Sequence, residues 1–269
     1  MWYLYIKSYF LYLILYYIIG YRKKVVLSNL ELVFPEKSKK EHLTVAKQFY
    51  RHLCDLIFES IKSITISEEE ISKRYQYENL DLIEEYDKKN KSILLMCSHY
   101  ANWEWSGILT KKMNQKGYAV YKPLANPYFD YLVKKIRGRF GATIISNKNV
   151  VKILFRNVKN GINTVTLILS DQTPKPGAFK HRDTFMDINV PVFTGTEELA
   201  KKLDLIPVYL KVNKVKRGYY SARFVPLTEQ PKDQQDYYIT RMFLDEIEKQ
   251  IRDTPQYYLW SHKRWKLRN

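Results

Sequence analysis

The chain has 269 residues, with 45 Lys+Arg against 28 Asp+Glu for a formal net charge of +17, and 45% of its residues are hydrophobic. That share supports a sizeable core, in one large domain or two small ones, and excludes disorder as the main state. Two cysteines, Cys54 and Cys97, allow at most one disulfide and supply no CxxC or Cys/His ligand spacing, which excludes a disulfide scaffold and a structural zinc module.

Met1 to Gly20 is almost wholly apolar or aromatic, interrupted by Lys7 and Ser8, and leads into Tyr21-Arg22-Lys23-Lys24. A secretory signal carries its positive charge before the apolar run and a small-residue cleavage site after it, so residues 1–20 are expected to stay on the chain as a membrane-anchoring helix. The uninterrupted run from Tyr9 to Ile19 is short for a bilayer span of about 20 residues. Whether the segment spans the membrane or lies on it is left open, as is a buried core helix. The basic cluster behind it puts the rest of the chain on the cytoplasmic side.

From Val25 to Ser63 apolar residues recur at helical spacing, broken at Pro35, which predicts at least two helices. The acidic stretch Ser67 to Asn90 reads as a surface-facing connection. Beyond it, short apolar runs predict strands over Ser92–Cys97, Tyr118–Lys122, Ala142–Ile145, Thr164–Leu169, Ile206–Val212 and Tyr219–Val225. Helical patterns fall at Asn102–Lys112, Tyr128–Arg139, Val150–Val158, Thr194–Leu203 and Asp236–Arg252, with Thr194 and Glu197 spaced as a capping box. The alternation predicts an α/β fold class: a single domain over 21–269 with a mixed sheet flanked by helices. No P-loop, Rossmann glycine pattern or metal-ligand cluster occurs, so no cofactor or metal is expected.

The strand ending at Cys97 runs into Ser98-His99-Tyr100-Ala101-Asn102-Trp103-Glu104. On one continuous helix His99 and Glu104 would sit about 140° apart. With His99 in the strand-to-helix turn and Glu104 in the first helical turn, the two side chains meet. Glu104 would then accept the imidazole N–H and fix the tautomer, leaving the other ring nitrogen to take a proton from a hydroxyl. The carboxyl end of a buried strand is where α/β sheets place their ligands.

The His99-x4-Glu104 spacing belongs to a wider pattern. It includes Asn29-Leu30, Phe34-Pro35-Glu36, Asn102-Trp103, Asn126-Pro127 with Asp130, Arg137-Gly-Arg139-Phe-Gly141, Asp171-Gln172, and the closing Trp260-Ser-His262-Lys-Arg264-Trp. In these residues, over nearly its whole length, the chain resembles the lipid A late acyltransferases, the bacterial inner-membrane branch of the lysophospholipid acyltransferase superfamily. The resemblance implies acyl transfer from a carrier thioester to a hydroxyl of a glycolipid. His99 is the implied base, Glu104 its orienting partner, and Arg137 or Arg139 the stabiliser of the developing oxyanion. It further implies substrate binding by Asn102, Trp103, Asn126, Asp171 and Gln172, with Asp171 shaping the site or holding an arginine. Phe185-Met186-Asp187 departs from the aromatic-aromatic-Gly segment common in the family, which bears on the identity of the acceptor.

Residues 111–160 hold twelve Lys or Arg against one acid, Asp130. Such a face suits an acidic acyl carrier protein, an anionic membrane or phosphorylated lipid, or both, and acyl-CoA is the other donor considered. Nucleic acid is not expected, since no zinc-finger spacing, RNP strand or basic zipper occurs. The remaining alternatives are a sibling enzyme acting on an amino-lipid, a pigment or a phosphatidylinositol mannoside, and a non-catalytic lipid-binding module.

Overall fold

The computed structural model describes residues 2–269. Helix α1 (Trp2–Leu13) continues as a π-helical turn (Ile14–Ile19) and stops at Gly20, whose left-handed backbone ends the run. Helices α2 (Lys23–Val33) and α3 (Lys39–Lys62) follow, parted at Pro35 as the sequence predicts. A capping box opens α3: Ser38 Oγ accepts the Glu41 N–H, and the Glu41 carboxylate accepts the Ser38 N–H. One stripe of the N-terminal segment, Ser8, Tyr12 and Tyr16, is buried. Ser8 Oγ donates to Asp55 Oδ1 of α3 at 2.6 Å, and the Tyr5 hydroxyl donates to Glu59 Oε1 at 3.0 Å. The opposite stripe, including Trp2, Ile6, Phe10 and Ile18, is exposed. The segment is therefore not a core helix; it rests on α3 and shows an apolar face outward.

The stretch read as a connection carries structure: α4 (Glu68–Arg74), β1 (Tyr75–Tyr77) and α5 (Asp81–Lys88). Three residues are too few for strand alternation to be read, and the acidic start of α4 reflects its helix N-terminus, where carboxylates are favoured. Next come β2 (Ile93–Cys97), a 3₁₀ helix (Trp103–Lys111), β3 (Lys116–Tyr121), α6 (Pro127–Gly138), β4 (Thr143–Ser146), α7 (Val150–Lys159) and β5 (Thr164–Leu169). The hairpin β6 (His181–Phe185) and β7 (Ile188–Val192) precedes α8 (Gly195–Leu203), β8 (Ile206–Lys216), β9 (Tyr219–Pro226) and α9 (Tyr238–Asp253).

Seven strands form one sheet in the order β1-β9-β8-β2-β5-β3-β4, parallel throughout except for the β8–β9 pair. Central β2 is buried at all five positions, as a strand covered on both faces must be, and its sequence is correspondingly apolar throughout. The hairpin was not expected, because its two-residue turn uses Met186 and Asp187, both at positive φ, where glycine or asparagine would have signalled it. The expected Thr194–Glu197 capping box does not form. Thr194 donates to Glu198 Oε1, while Glu197 Oε2 accepts from the backbone and hydroxyl of Thr240, so a tertiary contact to α9 replaces the local one.

Candidate active site

Strands β2 and β5 run parallel with Cys97 opposite Leu169. Continuing that register two residues beyond each strand sets His99 beside Asp171 at the carboxyl edge of the sheet. The Asp171 carboxylate takes the imidazole at 2.7 Å (Oδ1 to Nδ1) and the His99 backbone N–H at 3.0 Å (Oδ2). Asp171 is 1% exposed. Burial pushes its carboxyl up, but His99, by charge and by both hydrogen bonds, outweighs burial and holds it below the usual carboxylate range. A carboxylate only accepts, so Nδ1 carries the proton and Nε2 keeps its lone pair, which faces the Gln172 amide at 3.2 Å.

Glu104 is not the partner of His99. It lies in the first turn of the 3₁₀ helix and receives a fork from Arg137 in the last turn of α6, with Nε on Oε2 at 2.9 Å and Nη2 on Oε1. Trp103 stands between the two pairs: its ring meets the His99 ring edge-on with centroids 5.1 Å apart, and its Nε1 donates to Glu104 Oε1 at 3.1 Å. The distance along the chain suggested a His–Glu contact, but a guanidinium with two parallel N–H donors is the stronger claimant for the carboxylate. Burial raises the Glu104 carboxyl, and the Arg137 hydrogen bonds and charge reverse this, leaving it below its ordinary value. Arg137 Nη1 makes no hydrogen bond among the described residues. Trp103, Glu104 and Arg137 share a narrow cleft with Gly107, Val120 and Leu167.

The other site candidates fall in different places. Arg139 points away, its guanidinium donating to the backbone carbonyls of Ile64 and Ile66. Asn102 is 1% exposed and caps the 3₁₀ helix through the Trp105 N–H while donating to Glu59 Oε2 at 2.7 Å, so it holds the turn and has no open face for a substrate. Asn126 caps α6, accepting the N–H groups of Tyr128 and Phe129. Asp171 holds an imidazole rather than an arginine.

Two features were missed. The C-terminal segment clamps the His99 turn, with Ala101 N–H donating to the Tyr257 carbonyl and Leu259 N–H to the His99 carbonyl. His262, in the same segment, accepts the Thr173 N–H at Nε2 from 3.3 Å, and burial pushes its imidazole down to about 4. Asp171 stood in the sequence as a site residue, but only the pairing of two strand ends in register could have pointed to it as the partner of His99; nothing local announces the clamp.

A family model described as bacterial lipid A biosynthesis acyltransferase matches residues 12–267. The chain is 23% identical over 248 residues to the lipid A biosynthesis myristoyltransferase of Escherichia coli K12, covering 91% of this chain and 76% of that protein. It is 26% identical to the lauroyltransferase of the same organism, covering 92% and 80%, and 25% identical to the lipid A biosynthesis acyltransferase of Haemophilus influenzae, covering 87% and 72%.

Proposed function

The chain belongs to the bacterial lipid A biosynthesis acyltransferase family, and from that premise we propose that it moves a fatty acyl group from a carrier thioester to a hydroxyl of a lipid A precursor, with His99 as general base. The observation that carries the mechanism is the 2.7 Å contact of His99 Nδ1 with the buried Asp171 carboxylate, an acceptor that directs the ring N–H to itself and turns Nε2 toward the substrate side. The acceptor hydroxyl gives its proton to Nε2 as its oxygen attacks the thioester carbonyl. Asp171 stabilises the imidazolium that forms. Collapse of the tetrahedral intermediate expels the carrier thiolate, which takes the proton back from Nε2.

Arg137 Nη1 is the donor for the developing oxyanion, and Glu104 fixes that guanidinium by holding its other two nitrogens. Gly107, Val120 and Leu167 give the cleft beside Arg137 an apolar wall. On α6 and α7, exposed Lys134, Lys135, Lys152 and Arg156 are interleaved with exposed Tyr128, Phe129 and Phe155, which suits an acidic acyl carrier protein as donor in preference to acyl-CoA. The N-terminal helix lies on the cytoplasmic face of the bacterial inner membrane and carries the catalytic domain there.

The test is transfer by the purified full chain from an acyl carrier thioester to a lipid A precursor, read by mass spectrometry beside the lipids of a deletion strain. The expected product gains one acyl group, and the deletion strain lacks that group. No transfer to any precursor, with unchanged lipids in the deletion strain, would overturn the reading.

A further inference from the structure

A second cavity, of about 440 Å³, shares no lining residue with the cleft beside Glu104 and Arg137. It lies where α1 meets α3 and the β8–β9 connection, and three cations line it: Arg51, Lys214 and Arg217. Asp55 is the one carboxylate in the lining and is already taken. Arg217 grips it from Nε at 2.9 Å and Nη2 at 2.7 Å, and Ser8 Oγ donates to it as well.

Lys214 stands 3.6 Å from Asp55 and donates to His52 Nδ1 at 3.2 Å. His52 uses its Nε2–H on the Ala101 carbonyl, and burial, reinforced by Lys214, holds the ring well below its usual range, so it is neutral and offsets no charge. Arg51 lies over the Tyr12 ring at 5.2 Å and makes no ion pair among the described residues. The Tyr12 hydroxyl, in the same lining and 1% exposed, has no hydrogen-bond partner among the described residues. Asp55 in the lining and Glu59 behind it both act on Lys214 and Arg217, Arg51 has no acidic partner among the described residues, and the Tyr12 O–H is buried without an acceptor; the pocket is left short of negative charge.

Directly adjoining is a groove of about 530 Å³ lined by Trp2, Tyr5, Ile6, Tyr9, Phe10 and Arg217, so the two spaces share Tyr9 and Arg217. A cationic pocket opening onto an apolar groove has the polarity of a lipid, headgroup at one end and chains at the other. We propose that this cavity binds the phosphate of an anionic phospholipid among Arg51, Lys214, Arg217 and Tyr12, with its acyl chains along Trp2, Ile6 and Phe10. The site fixes the N-terminal helix against α3 at the membrane surface, separately from the acyl-transfer cleft.

The test is flotation of the full chain with phosphatidylcholine vesicles, with and without about one fifth phosphatidylglycerol. The wild type is expected to bind the anionic vesicles about tenfold more tightly, and Arg51→Gln/Lys214→Met to lose most of that preference. Lys39→Gln/Lys40→Gln, two exposed lysines at the far end of α3, should retain it. Should the double variant fail to fold, as judged by its melting curve, Arg51→Gln alone serves, together with hydrogen exchange of the wild type. Short-chain phosphatidylglycerol should then slow exchange in residues 8–12 and 48–55, and inorganic phosphate at equal concentration should not. A preference that survives Arg51→Gln/Lys214→Met, or that falls equally in the Lys39/Lys40 control, would overturn the proposal. Equal protection by inorganic phosphate would overturn the lipid as ligand.

Discussion

Two acid–base pairs flank Trp103, and they are held together by different means. His99 and Asp171 extend from adjacent parallel strands, so the ladder that pairs Cys97 with Leu169 also fixes their separation. Glu104 and Arg137 come from a 3₁₀ helix and from the end of α6, and their contact depends on how two helical elements pack. The chemistry differs as well. The first pair leaves an imidazole nitrogen whose lone pair meets only the Gln172 amide, whereas the second occupies both oxygens of its carboxylate and leaves the guanidinium Nη1 free of partners among the described residues. Similar charges therefore give a proton acceptor on one side of the indole and a fixed cation on the other.

The most damaging way to probe the comparison is His99→Ala. Without the imidazole, turnover should fall by about 10²–10⁴-fold, while the Glu104–Arg137 pair and vesicle binding stay as they are. Near-normal turnover would remove the base from the mechanism. Asp171→Asn comes next. The amide NH₂ would donate to Nδ1 and move the ring proton to Nε2, so kcat should fall about 10²-fold or more, with little change in the Michaelis constant. A rise in the Michaelis constant alone would make Asp171 a binding residue.

Glu104→Gln should act on the other axis. It leaves Arg137 without its counter-charge at a site where the two side chains are 17% and 23% exposed, so the loss is expected as about 1–3 kcal/mol of stability with roughly tenfold in turnover. Removing both charges, in Glu104→Gln/Arg137→Gln, should restore part of the stability and none of the turnover. If Glu104→Gln instead copies Asp171→Asn, with a large kcat loss and an unchanged melting temperature, the division between the pairs fails.

How far the sequence reached follows the same line. The parallel strands and their helices are legible because buried apolar runs and punctuation are local signals, and His99 stood out as a histidine at a strand end. Its true partner is 72 residues away in sequence. The nearest carboxylate along the chain is Glu104, and only strand register distinguishes it from Asp171. Arg139 and Arg137 look equivalent in sequence, yet two positions on a helix differ by about 200° and face different surroundings. Asn102 and Asn126 read as polar residues in motifs, and both prove to cap helices, a demand that the backbone makes of the same residue type. β1 and the Met186–Asp187 hairpin were invisible because their strands are short or their turn lacks the usual residues.

The smallest expected effect concerns the clamp behind the His99–Asp171 pair. Burial holds the His262 imidazole at about 4 in the folded chain, below the ~6.5 expected once unfolded. Between those values the unfolded chain binds a proton that the native chain refuses, so stability is flat above about pH 6.5 and declines as pH falls toward 4. Asp171 and Glu104 act in another window: their folded carboxyls lie below the unfolded range of ~3.9–4.3, so their contribution is complete above it and is lost only at lower pH. His262→Gln keeps an acceptor for the Thr173 N–H and removes the titration. It should lower the slope of melting temperature between pH 6.5 and 4 by the equivalent of about 1–2 kcal/mol, discounted because the ring is partly exposed, leaving the share of buried His52 and the steeper loss below pH 4 intact. A wild-type slope in the variant would mean that the acid sensitivity above pH 4 arises elsewhere, and that the C-terminal clamp holds the His99 turn by its backbone bonds alone.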